Sequence, residues 1–339
     1  MMMQNYNILF TLKNVLKNFP FGYFIYLHYI CAKCLSVAEI VKLKNKWEIP
    51  YRIIIVEDLK LIAVSSSVQC DWVISNKHDL VFQTEEINPL FQAEEDIEMI
   101  VSDVCEKIHT KDITSVHFYG AGCFLPQKKE IVRKILSHHI AEIHIEVESD
   151  LLAAARALFK QDSGIVCVLG TGSNSGFYNG IRIKKNISPL GYIWGDEGGG
   201  AAIGKIFIGN LLKNRYSGNL YEGFMDYYKT SPREILESVY KKAFPERYLA
   251  QFTKFIAKNI NEPAMYDLVY NTFSNFITGN IMLYNYLDYP VQFTGSVAFY
   301  FEDILRDACL TNGIRPGDIV QNPLKGLIEF HRSNCLKKH

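Results

Sequence analysis

The stretch "GIVCVLGTGSNSGFYNGIRIK", residues 164–184, decides the fold. Residues 165–169 are apolar without a break, as in a strand covered on both faces. They enter a turn of small residues, Gly170, Thr171, Gly172 and Ser173, where backbone amides can approach an anion. A hairpin follows, with Asn179-Gly180 at its tip. Buried strand, glycine turn and returning hairpin together open an α/β module. Glycine turns are common, so this stretch alone leaves a phosphate turn and a plain hairpin turn about equally weighted.

The same order stands earlier in the chain. "LIAVSSSVQCDW" (61–72) reads as strand, small polar turn and strand, and LVFQT (80–84) supplies a third strand. Residues 93–109 form a helical pattern, with Ile97, Ile100, Val101, Val104 and Ile108 on one stripe. A strand at 116–119, a helix at 127–139, a strand at 143–147 and an alanine-rich helix from 151 complete the series. Beyond the second hairpin lie several helices, one starting at Ser231-Pro232 with Glu234 in its first turn. "PVQFTGSVA" (290–298) is again strand, glycine turn and helix, and a last helix covers 323–336. The chain thus reads as two copies of one β-rich α/β module, the second enlarged by helical insertions.

Bulk properties narrow the function. The 339 residues favour two domains, and a composition 48% hydrophobic and 21% charged can bury large cores. Lys plus Arg number 36 and Asp plus Glu number 36, with no long basic run, which argues against nucleic-acid binding. Cys31 and Cys34 form a lone C-x-x-C pair, and the remaining cysteines read as reduced, partly buried thiols of a cytoplasmic protein. Residues 1–59 differ in texture. Their apolar run 19–32 is ended by Lys33 short of the roughly 20 residues of a membrane span. An amphipathic appendage and a start codon placed too far upstream both fit this segment, with membrane association the lesser reading.

Other motifs carry chemistry. "WGDEGGGAAIGK" (194–205) sets Asp196 and Glu197 before three glycines that open a helix. Acidic residues favoured by the helix dipole would explain the carboxylates, but the glycines imply a close backbone approach. Asp150, in "EVESDLLAAARAL" (146–158), stands at a strand-to-helix junction as either an N-cap or a general base facing a cleft. Asn88, in "EINPLF" (86–91), offers an amide to a ligand or to a turn.

Taken together, "LGTGSNS", "PLGYIWGDEGGGAAIGK" and "FTGSVA" resemble the N-acetylglucosamine kinase and BadF/BadG/BcrA/BcrD-type ATPase group of the actin, Hsp70 and sugar-kinase superfamily. "FYGAGC" (118–123) and "VESDLLAAARAL" make the chain most similar to the kinase-like members from Bacteroidetes. The resemblance covers about residues 60–332. It implies two duplicated RNase H-like modules, at 60–147 and 148–322, around an ATP cleft, with the 323–336 helix packing back on the first. It also implies Asp150 as catalytic base, and Asn88, Gly195 and Asp196 as sugar-binding residues. Gly170, Thr171, Gly172 and Ser173 match the second phosphate turn, and Gly295 with Ser296 the adenosine motif. Ser67 and Val68 occupy the first phosphate hairpin.

That hairpin departs from the family pattern. Val64 stands where an acidic residue organises Mg²⁺, Val68 where a hydroxyl meets phosphate, and Gln69 where a base is usual. The resemblance therefore implies ATP- and Mg²⁺-dependent phosphorylation of an amino sugar such as N-acetylglucosamine, with small molecules as partners and a homodimer allowed. No protein metal site, nucleic acid or membrane is expected. A sugar- or nucleotide-sensing pseudokinase is the first alternative. A BadF-type activator ATPase is the second, and it would need clustered cysteines.

Overall fold

Each antiparallel run identified in the sequence becomes the edge of a sheet. The computed structural model describes residues 59–75, 79–108, 110–140, 143–216 and 219–336. The reading of residues 1–59 as an extension, and the Cys31–Cys34 pair with it, lies outside these apart from Leu59. The first half runs β1 (Leu59–Ser65), β2 (Gln69–Ser75), β3 (Leu80–Glu85), α1 (Glu94–Lys107), β4 (Ile113–Gly120), α2 (Pro126–His139), β5 (His144–Ser149) and α3 (Asp150–Phe159). The second half opens with β6 (Ser163–Leu169), β7 (Ser173–Asn179) and β8 (Ile183–Ile187). Helices α4 (Gly191–Trp194), α5 (Gly200–Leu211), α6 (Leu220–Tyr228), α7 (Pro232–Lys241), α8 (Pro245–Ala250), α9 (Thr253–Lys258) and α10 (Pro263–Gly279) follow. The chain closes with β9 (Val291–Thr294), α11 (Ser296–Tyr300), α12 (Glu302–Thr311), β10 (Pro316–Val320) and α13 (Leu324–Leu336).

The two sheets repeat one pattern. The first has the order β3-β2-β1-β4-β5 and the second β8-β7-β6-β9-β10. In each, the first three strands pair antiparallel and the last two add in parallel. Local chemistry matches the sequence reading. Ser231 caps α7 by accepting from the Glu234 amide and bonds its carboxylate in return. Asn179 Oδ1 accepts from Ile181 and Arg182 at the hairpin tip. Among the described residues no helix is long and apolar enough to cross a membrane, and Cys70, Cys105, Cys123, Cys167 and Cys309 are free thiols.

Alternation on β1 divides its side chains between two cores. Leu61 and Ala63 join Trp72, Val101 and Ile135 under α1 and α2. Ile62 and Val64 face the other way, onto Ala153 and Ala157 of α3 and Leu327, Ile328 and Phe330 of α13. The opposite side of α3 packs Leu151, Ala155 and Phe159 on Val166 and Tyr178 of the second sheet. A helix covered from two directions needs small side chains for close approach, which accounts for its run of alanines.

Through this layer runs a buried polar chain. Arg156 Nη2 lies 3.0 Å from Glu146 Oε1, and Glu146 Oε2 lies 2.9 Å from His117 Nδ1. Arg156 Nη1 also donates to the Tyr119 hydroxyl, which is hydrogen-bonded to His331 Nε2 of α13 at 2.9 Å. Burial alone would raise the Glu146 carboxyl, yet hydrogen bonds from His117 and Arg156 hold it far below its usual range. Burial, then repulsion from His117, keeps His331 neutral with a pKa of about 2.

Removing one partner of such a pair strands the other charge away from water, at a cost near 3 kcal/mol for a pair buried to this degree. Arg156→Met should therefore lower the unfolding free energy by about 3 kcal/mol in denaturant melts. Hydrogen exchange should quicken at the Leu327 amide in the first turn of α13. Unchanged stability would mean that the chain is not what ties α13 to the sheet.

Candidate functional site

The glycine turn after β6 is closed on one side by the segment before α5. Gly200 and Ala201, the first residues of α5, donate their amides to the Gly170 and Thr171 carbonyls at 2.8 Å each. Ser173 donates its amide to Asp196 Oδ1 at 3.2 Å. A Cβ on Gly199 would fall 2.6 Å from the Gly172 carbonyl carbon, so this is the close approach that the glycine run serves. The alternative of carboxylates placed only to face the helix dipole is not what the structure shows. Asp196 instead turns to the Ser173 amide, and the amides that open α5 are taken by the turn. Gly170 remains open, with no atom within 4 Å of where its Cβ would stand.

Asp196 holds a left-handed backbone with φ of 57°, a conformation aspartate tolerates better than most side chains. Burial, partly offset by the Ser173 amide and reinforced by Glu197, raises its carboxyl to about 6. Gly195 beside it is buried. At the far end of the turn, Leu169 meets Gly295, whose Cβ would lie 2.2 Å from the Leu169 carbonyl oxygen. Ser296, the first residue of α11, is exposed. The Thr294 Oγ1 at the end of β9 is buried without a hydrogen-bond partner.

The first half assembles a second group of residues. Asn88 is buried, and its Oδ1 accepts from the Leu90 amide at 3.1 Å, so the turn role is realised. Its backbone N–H donates to Gln92 Oε1 at 2.6 Å. Gly122, with φ of 84°, lies against Asn88 Oδ1, where any Cβ would stand 2.3 Å away. Cys123, next in that loop, is fully buried, and burial followed by the Asp150 charge pushes its thiol up to about 12. The cap of α3 is Ser149, which accepts from the Leu152 amide. Asp150 is the first helical residue rather than the cap, and its Oδ1 accepts from Leu151 at 2.9 Å. Burial raises the Asp150 carboxyl despite that bond.

The hairpin at 65–70 is stitched to itself. Ser66 Oγ accepts from the Val68 and Gln69 amides and donates to the Gln69 carbonyl. Ser65 is buried and accepts from the Ile87 amide at 2.8 Å. Ser67 is half-buried, and Val68 is 62% exposed. Gln69 turns its amide to Asp71 Oδ1 at 2.9 Å, which also receives Gln83, while Asn322 donates to Oδ2. Sequence reasoning missed Gln92. The N-P-x-x-Q spacing, with the glutamine four residues after Asn88, is the signal that could have found it.

No protein-family model and no curated protein sequence matches the chain. Among solved structures, a proposed N-acetylglucosamine kinase from Porphyromonas gingivalis is 42% identical, with a TM-score of 0.79, over 82% of this chain and 100% of its own. A proposed N-acetylglucosamine kinase from Chromobacterium violaceum aligns at 13% identity and a TM-score of 0.66, over 81% and 99% of the two chains. An ROK family glucokinase from Streptomyces griseus, solved with glucose and AMPPNP, aligns at 14% and 0.51, over 80% and 97%. The last two are similar in fold alone.

The raised Asp196 carboxyl has a sign that can be checked. A folded pKa near 6, above the ordinary value of 3.8, means that its stabilising contribution is complete below pH 3.8 and lost as pH rises through 6. Asparagine can still accept from Ser173 but never ionises. Asp196→Asn should thus melt at the same temperature as wild type near pH 4 and several degrees higher at pH 8. Identical melting at both pH values would show that the carboxylate is not penalised by burial.

Proposed function

The chain belongs to the family of sugar kinases represented by the Porphyromonas gingivalis protein, and from that membership we propose that it transfers the γ-phosphoryl group of ATP to a hydroxyl of an amino sugar such as N-acetylglucosamine. The observation that carries this reading is the lacing of the Gly170–Ser173 turn to Asp196. It leaves the Gly170 face of the turn open, with no atom within 4 Å of where a Cβ would stand, and holds the Asp196 carboxylate, able to accept sugar hydroxyls, at the other end of the turn. In the reaction, Asp150 takes the proton of the acceptor hydroxyl, the sugar oxygen bonds to the γ-phosphorus, and the bond to the β-phosphate oxygen breaks to release ADP.

Asn88, Gly195 and Asp196 hold the sugar in this reading. The turn 170–173 receives phosphate, and Gly295 with Ser296 receives the adenosine, near the unpartnered Thr294 hydroxyl. Magnesium neutralises phosphate charge in reactions of this class. Among the described residues no cluster of three or more acidic, histidine or cysteine ligands could cage a metal. The carboxylate that resemblance places at position 64 is absent, however, and Val64 is only 7% exposed, within the core formed with α3 and α13.

A second reading, a sugar-binding pseudokinase, is favoured by the hairpin itself. Its Val68 and Gln69 amides already have an acceptor in Ser66 Oγ, so a phosphate would have to displace that hydroxyl. Both readings share the sugar site and differ in what happens to ATP.

Two variants separate them. Asp150→Asn should reduce kcat by about 10²- to 10⁴-fold in an ADP-release assay with N-acetylhexosamines. Calorimetric sugar affinity should change little, and unchanged turnover would remove Asp150 from the mechanism. Val64→Asp combined with Val68→Thr should raise turnover more than sugar affinity if the hairpin limits catalysis, even though the aspartate enters an apolar core. A wild type as active as other sugar kinases, with no gain in the double variant, would defeat the pseudokinase reading.

A further inference from the structure

One ion pair joins the two halves beside the residues just described. Glu86 follows β3 and stands two residues before Asn88, whereas Arg247 lies on α8 in the helical insertion of the second half. Arg247 Nη2 donates to Glu86 Oε1 at 2.6 Å. Their side chains are 25% and 13% exposed, against 78% and 80% for a surface pair such as Lys229–Asp226. Solvent and salt therefore screen the Glu86–Arg247 pair far less.

The arginine also packs on an aromatic ring. Its guanidinium rests 4.1 Å from the centroid of the Phe244 ring. Phe244 has φ of 56°, a left-handed conformation that an aromatic residue adopts only when its surroundings impose it. Meanwhile Arg247 Nε is buried with no hydrogen-bond partner. The pair is thus made through one nitrogen rather than as a two-pronged fork.

Each end is connected to the candidate site. The Glu86 carbonyl accepts from Gln92 Nε2 at 2.8 Å, and Gln92 Oε1 accepts from the Asn88 amide. Gln92 therefore clamps Glu86 and Asn88 into one unit. On the other side, Glu246, the neighbour of Arg247, adds to the negative charge around Asp196. The Leu249 carbonyl of α8 lies against Gly204 of α5, and α5 is the helix whose first amides hold Gly170 and Thr171.

We propose that Glu86–Arg247 is a latch between the halves on the sugar side, and that Arg247 is a positioning residue acting through Glu86 and Gln92 to set Asn88. Only the assignment of Asn88 to the sugar rests on the function proposed above. With the latch closed, Asn88 and Asp196 keep a fixed separation. With it broken, segment 86–92 loses its tie to the second half.

The test uses the full chain with Arg247→Met, Glu86→Gln, the two combined, and Arg247→Lys, which keeps the charge. In ligand-free protein, hydrogen exchange at the Leu90, Phe91 and Gln92 amides should accelerate at least fivefold in Arg247→Met, although the substitution lies in the other half. Affinity for N-acetylglucosamine by calorimetry should fall about tenfold in each single variant and no further in the double. The kinetic change should fall on the sugar KM with kcat within about twofold, and Arg247→Lys should recover most of the affinity. Glu86→Gln is nearly isosteric and keeps the measurement meaningful should Arg247→Met fold poorly. Exchange at 90–92 and sugar affinity both unchanged, or losses that add in the double variant, would overturn the latch. If wild type binds no N-acetylglucosamine while exchange still accelerates in both single variants, the sugar reading falls and the latch stands.

Discussion

The architecture of the candidate site depends on one backbone interlock. Gly170 and Thr171 give their carbonyls to the first amides of α5, and Ser173 gives its amide to Asp196. A helix N-terminus usually leaves donors free for an anion, but here the amides of Gly200 and Ala201 are committed to protein. Their effect is to hold the turn, so that the open side of Gly170 and the Asp196 carboxylate have a fixed relation. The raised carboxyl and the left-handed backbone at Asp196 follow from the same crowding. Strain and desolvation of this kind persist at sites where the surrounding structure over-determines them.

A second constraint is the shared helix α3. It belongs by contact to both sheets, with Ala153 and Ala157 toward the first sheet and α13, and Leu151, Leu152, Ala154, Ala155 and Phe159 toward the second. Asp150 begins this helix, so the candidate base sits on an element gripped from two sides. The Glu146–Arg156–Tyr119–His331 chain adds polar specificity to that grip. A buried network of this sort is stabilising only when its members are satisfied together. The two halves therefore meet at α3, and the Glu86–Arg247 ion pair joins them again beside Asn88.

Much of this was legible in the sequence because local chemistry and tertiary structure agree. The uninterrupted apolar run before Gly170, the Asn179-Gly180 tip and the Ser231–Glu234 box each act within a few residues, and each formed the expected element. Asp150 was placed correctly at a junction, yet the sequence could not tell that Ser149 would take the cap and leave the aspartate as the first helical residue. Likewise, three adjacent serines look interchangeable on paper. One is buried under the Ile87 amide, the next closes the hairpin, and only Ser67 is left between them and the exposed Val68. Glu86 and Arg247 carried no signal at all, since a pair 161 residues apart is made by the fold and by no local pattern.

The central claim is phosphoryl transfer to an amino sugar at the Gly170–Asp196 interlock. Phosphorus NMR of the wild-type protein with MgATP and N-acetylglucosamine tests it most directly. The account predicts one new phosphomonoester resonance that grows in step with ADP, is absent without sugar, and is much weaker with unmodified glucose. Free inorganic phosphate formed at the same rate with or without sugar, or ATP left intact while the sugar is bound, would contradict it.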